Sequence, residues 1–89
     1  MDIQIYVGAD IAADSIQIDW LVSANQQSQQ VTIRQHKRDY ARLVKQFTRQ
    51  VAPEQIQVVM EATGNYWIAF AEYLHQAGLA VSVLNPSQA

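Results

Sequence analysis

Apolar residues in this chain change their spacing near residue 35, and that change constrains the fold more than any other feature. Up to about residue 34 they recur at every second position. Ile3, Ile5 and Val7 alternate with Gln4 and Tyr6, which predicts a strand over about 3–9. Ile16, Ile18 and Trp20 alternate with Gln17 and Asp19 and predict a second strand over about 15–23. The turn from Asp10 to Asp14 is short enough for an antiparallel hairpin. The Asn/Gln/Ser stretch over 25–30 reads as the next turn. Val31 and Ile33 alternate with Thr32 and Arg34 as a third strand, completing a meander.

From residue 37 to about 51 the period is helical. Tyr40, Leu43, Val44, Phe47 and Val51 fall on one face of a helix predicted over about 37–51, and Pro53 bars its continuation. Ile56 to Met60 is a short, β-branched apolar run that suits a buried strand. Thr63-Gly64-Asn65 offers N-cap chemistry for a helix whose Trp67, Phe70, Ala71 and Leu74 share a face. Gly78 stands where a C′ glycine belongs. Val81, Val83 and Leu84 make a last strand before Asn85-Pro86.

The element order is thus β-β-β-α-β-α-β. Strands that follow helices run parallel to their neighbours through right-handed crossovers. The predicted fold class is α/β, with a mixed ribonuclease H-like sheet of strand order 3-2-1-4-5. The same order of elements also opens the actin-like and sugar-kinase ATPases, and topology does not separate them. A hydrophobic content of 49% with 16% charged residues excludes a disordered chain. No apolar run approaches the ~20 residues of a membrane span, and no basic segment opens a signal peptide. The absence of cysteine excludes disulfides and thiolate metal sites, and makes a cytoplasmic location the expectation.

Two acids fall where such sheets bind ligands. Asp10 ends the first strand and Glu61 the fourth. In the predicted order these strands are adjacent and parallel, about 4.8 Å apart, and open α/β sheets bind ligands at such carboxyl ends. Facing carboxylates repel unless a proton or cation lies between them. Hard divalent cations such as Mg²⁺ prefer carboxylate oxygen and water. Each acid also has an ordinary reading. Asp after a strand is a common turn residue, and Glu61 could favour the positive end of the next helix. Asp14 reads as a turn residue and Asp19 as part of a solvated strand face. His36 and His75 have no partner at ligand spacing and read as surface residues.

The basic residues are segregated. All six lie between Arg34 and Arg49, with Asp39 as the one acid among them, although the net charge is −2. Arg38, Arg42, Lys45 and Arg49 repeat at helical spacing. They form either a solvated helix face or a phosphate-contacting one, since neutralised phosphates release counterions. The pI of 5.4 argues against strong general DNA binding by the chain alone. Val7-Gly8-Ala9-Asp10 admits a phosphate-cradling hairpin, but Ile11 to Ser15 lacks the glycine that role wants.

The chain resembles the DEDD transposases of insertion-sequence family 110, which include the Piv-type DNA invertases. The resemblance rests first on Val7-Gly8-Ala9-Asp10-Ile11-Ala12, followed by Ile16-Gln17-Ile18-Asp19. The more specific block is Val59-Met60-Glu61-Ala62-Thr63-Gly64-Asn65-Tyr66-Trp67, with Ala77-Gly78 and Val81-Ser82-Val83-Leu84-Asn85-Pro86 after it. It implies that residues 1–89 are the N-terminal part of a RuvC-like catalytic domain. In that family four acids bind Mg²⁺ or Mn²⁺ for cleaving and rejoining DNA strands. Asp10 matches the first acid and Glu61 the second. The third and fourth, and the family's second domain with its nucleophilic serine, have no counterpart in these residues, so the chain alone is expected to be inactive and to hold the metal weakly or not at all. Ala9 and Ala13 stand where the family usually carries an apolar β-branched residue and a Lys; the missing Lys bears on a phosphate or metal-site contact near Asp10. The resemblance further implies DNA, an element-encoded guide RNA and further copies of the chain as partners. A homo-oligomer is expected through the uncovered sheet face, with Trp20 a candidate for it, or through a sheet edge. A non-catalytic binding or self-association module with the same fold is the alternative.

Overall fold

Alternation of β-branched and polar residues over the first third of the chain produces three antiparallel strands: β1 (Ile5–Ile11), β2 (Ser15–Val22) and β3 (Gln27–Arg34). The computed structural model describes residues 2–85; of the closing Asn85-Pro86 pair, Pro86 lies outside them. Helix α1 (Lys37–Phe47), a 3-10 turn (Pro53–Gln55), β4 (Ile56–Glu61), α2 (Ile68–Gln76) and β5 (Ala80–Leu84) follow. The five strands form one mixed sheet of order β3-β2-β1-β4-β5. β1 pairs antiparallel with β2 and parallel with β4, which pairs parallel with β5. This is the predicted α/β, ribonuclease H-like arrangement.

Both helices pack on the same face of the sheet. Ile5 and Val7 of β1, Ile16, Ile18 and Trp20 of β2, and Ile56, Val58 and Met60 of β4 are buried. They share one cluster with Tyr40, Leu43 and Phe47 of α1 and Phe70, Ala71 and Leu74 of α2. Tyr40 bridges the helices, its ring 5.1 Å from that of Phe70 and 5.7 Å from that of Tyr73. The alternate residues of the strands, among them Tyr6, Asp10, Gln17, Asp19, Val59 and Glu61, point to the opposite face and are exposed. The sheet is therefore covered on one side only.

Trp20 does not lie on that uncovered face. It is 6% exposed and meets Phe47 edge-on at 5.3 Å. Strand parity explains this, because Trp20 shares the pleat of Ile16 and Ile18. β3 also starts earlier than predicted. The turn shrinks to residues 23–26, with Gln26 at φ +57° and the Asn25 side chain accepting the Gln27 N–H at 3.0 Å. Pairing with β2 down to Val22 overrides the weak strand preference of Gln27 to Gln30.

Both helices differ at an end. α1 stops at Phe47, where Thr48 leaves helical geometry at φ −87° and ψ 5° while its N–H and hydroxyl both donate to the Val44 carbonyl at 2.9 Å, so Arg49 and Val51 lie beyond it. Thr63-Gly64-Asn65 does not cap α2. The helix begins at Ile68 without a side-chain cap, after a turn where Gly64 takes φ +60° and the Trp67 indole N–H donates to its carbonyl at 3.0 Å. At the other end the expected glycine closes α2: Gly78, at φ +94°, donates to His75 O, and Leu79 N–H to Leu74 O. This pair of bonds is a Schellman motif.

Candidate functional site

Strand β1 carries Asp10 and β4 ends on Glu61, and the ladder between them fixes how these acids meet. Its register runs without a break from Ile5 beside Ile56 to Ala9 beside Met60. One further step sets Asp10 beside Glu61. In-register residues of parallel neighbours point to the same face, and both acids are exposed while Met60 is buried. Asp10 also pairs with Gln17 of β2, and Glu61 with Leu84 of β5. The two carboxylates thus occupy one row across the uncovered face.

A cleft of about 520 Å³ opens over this row, lined by Gly8, Asp10, Asp19, Val59, Glu61 and Thr63 among others, with no basic residue. Gly8 gives the cleft its floor. It pairs with Asp19 and Val59, and no atom lies within 4 Å of where its Cβ would stand. Asp19 is the residue that sequence reading undervalued. It is on the solvated face, as expected, but its pairing with Gly8 brings it to the cleft's margin. The signal was present in its parity with Gln17, but the register that aligns it with Gly8 is a tertiary fact. Among the described residues, no three or more His, Cys, Asp or Glu side chains form a metal-holding group.

The other sequence candidates lie elsewhere. Arg38, Arg42 and Lys45 are exposed on α1, Arg49 is exposed in the turn after it, and α1 covers the opposite face of the sheet. The basic stripe and the carboxylates are separated by the thickness of the sheet, so no single phosphate meets both. His36 and His75 are exposed, and Asp14 lies in the β1–β2 turn. A second groove, about 420 Å³, runs between the helices beside Gln35, Tyr40, Glu72 and Tyr73.

The bend that joins β3 to α1 ties several elements together. The Asp39 carboxylate, in the first turn of α1, accepts the Arg34 backbone N–H at 3.0 Å and its guanidinium at 3.2 Å. The Arg34 guanidinium holds the Asp39 carboxyl below its ordinary range, the Arg34 backbone N–H adds to this, and burial opposes it. Gln35, which sequence reading passed over, donates through Nε2 to Ala12 O at 3.0 Å and to Tyr66 O at 2.9 Å. Its Oε1 accepts from the Tyr40 hydroxyl, whose pKa burial pushes up. Nothing in a Gln-rich chain marks this glutamine beforehand.

A model of the DEDD transposases of insertion-sequence family 110, described as a transposase, matches residues 7–89. The chain belongs to this family. The transposase match takes in Asp10 and Glu61 and all five strands but the first two residues of β1. No curated protein matches this transposase chain at a significant level. Among solved structures, it is similar to the Ppx/GppA family member of Aquifex aeolicus, with a TM-score of 0.46 and 14% identity over 96% of this chain and 36% of that one. A second structure, of the Aquifex aeolicus PPX-GPPA enzyme, gives 0.45 and 13% over 96% and 37%. The transposase chain spans little more than a third of the length of these structures. No helix among its described residues is long and apolar enough to cross a membrane.

Proposed function

We propose that the chain is the N-terminal part of a RuvC-like catalytic domain in a DNA transposase or site-specific recombinase, and that Asp10 and Glu61 are catalytic carboxylates that hold a divalent cation together. The observation that carries this reading is their common row on the uncovered sheet face, one register step past Ala9 and Met60. The donor chemistry fits Mg²⁺ or Mn²⁺. The pair offers only carboxylate oxygen, the cleft has no basic residue to compete for it, and Mg²⁺ is commonly held by one or two carboxylates with waters completing its shell. When bound, such a cation neutralises charge on a phosphate and on the oxygens exchanging at it. The chain's own part is to set two oxygen donors on neighbouring strands, one residue past the last ladder pair at Ala9 and Met60. The bare Gly8 floor leaves room for a phosphate to approach.

The basic stripe belongs to a different contact. Lying on the far side of the sheet, Arg38, Arg42, Lys45 and Arg49 bind the backbone of a second nucleic-acid segment, flanking DNA or guide RNA, without reading its sequence.

A strand-cleavage assay on the complete reading frame with Mg²⁺ tests the proposal. Asp10→Asn and Glu61→Gln should each abolish cleavage and leave DNA affinity unchanged. Cleavage surviving both substitutions would overturn it. The 89-residue chain alone should cut no DNA, because a two-metal clamp needs more ligands than this pair supplies.

A further inference from the structure

We infer that Gln35 is a positioning residue for the Asp10–Glu61 pair, an amide clamp that holds the two outgoing strand ends in one register. The inference rests on the proposed cation site and deepens it. The β1–β4 ladder has its last pair at Ala9 and Met60, so backbone pairing between these strands ends just before the two acids. Past that point the chain leaves β1 through Ala12 and leaves β4 through the loop to Tyr66. A single carboxamide nitrogen, Gln35 Nε2, spans this gap by donating to Ala12 O at 3.0 Å and Tyr66 O at 2.9 Å.

Each further contact of Gln35 fixes that nitrogen. Ala12 O and Tyr66 O can only accept, which settles which end of the amide is the donor, and the Tyr40 hydroxyl donates to Oε1 at the other end. The Tyr40 ring is itself 5% exposed and packed between Phe70 and Tyr73. The Gln35 backbone N–H donates to Asp14 O at 3.1 Å, so the β1–β2 turn is held by both main chain and side chain. Gln35 thus links the rigid helix layer to both segments that follow the acids. Its role is geometric, since it lies outside the cleft and does not touch the cation. Partners of this kind, which orient metal ligands without binding metal, typically change affinity by about ten-fold or more when removed.

The test uses Mn²⁺ alone as the probe, with the 89-residue chain labelled for amide NMR. In the wild type, Mn²⁺ should broaden the amides of Asp10 and Glu61 and their neighbours at a common concentration. Gln35→Met keeps the length and loses both donors; it should raise the half-broadening concentration about ten-fold and separate the responses of the two strand ends. Gln57→Met is the control, because the Gln57 side chain donates to Ser82 Oγ at 3.0 Å on the same face without reaching either outgoing segment. It should leave the Mn²⁺ response unchanged whatever it does to the melting temperature. If Gln35→Met does not fold, Tyr40→Phe, which keeps the ring and frees the amide, should weaken the response in the same direction. A wild type that responds normally alongside a Gln35→Met, or Tyr40→Phe, of unaltered response overturns the clamp and leaves the cation site standing. A wild type with no response at either strand end overturns both.

Discussion

Asp39 shows how one side chain decides a junction. It is 7% exposed, yet it is charged, and its oxygens are met by the backbone N–H and guanidinium of Arg34. It therefore ties the first turn of α1 to the end of β3, where an unpaired buried carboxylate would be costly. Because its folded pKa lies below its ordinary value of 3.8, Asp39 contributes stability that is fully present above that value. The contribution is lost as pH falls through the lower, folded pKa. Urea unfolding followed from neutral pH down past about pH 4 should show this as an acid limb. Asp39→Asn should flatten that limb and lower stability at neutral pH. An acid limb identical in the two proteins would show that Arg34 does not hold this group. Asp10 and Glu61 stood out as candidates at this scale because each falls at the carboxyl end of a strand pattern. Gln35 was not, because its importance comes from carbonyls 23 and 31 positions away in sequence.

Among the elements, order was legible and edges were not. Period-two alternation placed the first three strands, helical spacing both helices, and short β-branched runs the last two strands. Where predicted boundaries moved, backbone geometry or pairing marks the new ones: Thr48 leaves helical geometry after Phe47, and the β2 ladder draws Gln27 to Gln30 into β3. The C-terminus of α2 follows its sequence signal, and it yields a test. Gly78 sits at φ +94° with its absent Cβ 3.3 Å from Pro53 Cβ, so Gly78→Ala combines left-handed strain with a tight contact. It should destabilise by about 1–3 kcal/mol in chemical denaturation, and an unchanged midpoint would contradict the Schellman closure. The basic face of α1 yields a second. Arg42→Ala with Lys45→Ala should reduce the salt slope of nucleic-acid affinity by about two. An unchanged slope would make the stripe a solvated helix face and nothing more.

The whole molecule is a one-sided sheet. Helices, core and basic stripe lie on one face, and the carboxylate pair, Asp19 and the exposed Tyr6, Val59 and Leu84 lie on the other. Parallel strands are ordinarily covered on both faces, and here β1, β4 and β5 have a face open to solvent, which is where the candidate chemistry sits. Sequence alone gave the layers and the sheet order. Trp20 follows the pleat of Ile16 and Ile18 into the core rather than the open face, and Asp19 reaches the cleft through a register across the sheet that packing sets. The central claim is that Asp10 and Glu61 act as one ligand pair. A Mg²⁺ titration of the amide NMR spectrum to millimolar concentration tests it most directly, in the wild type and in Asp10→Asn. The amides at the ends of β1 and β4 should shift with one shared midpoint in the wild type, and both responses should vanish in the variant. Separate midpoints, or a β4 response that survives Asp10→Asn, would contradict the account.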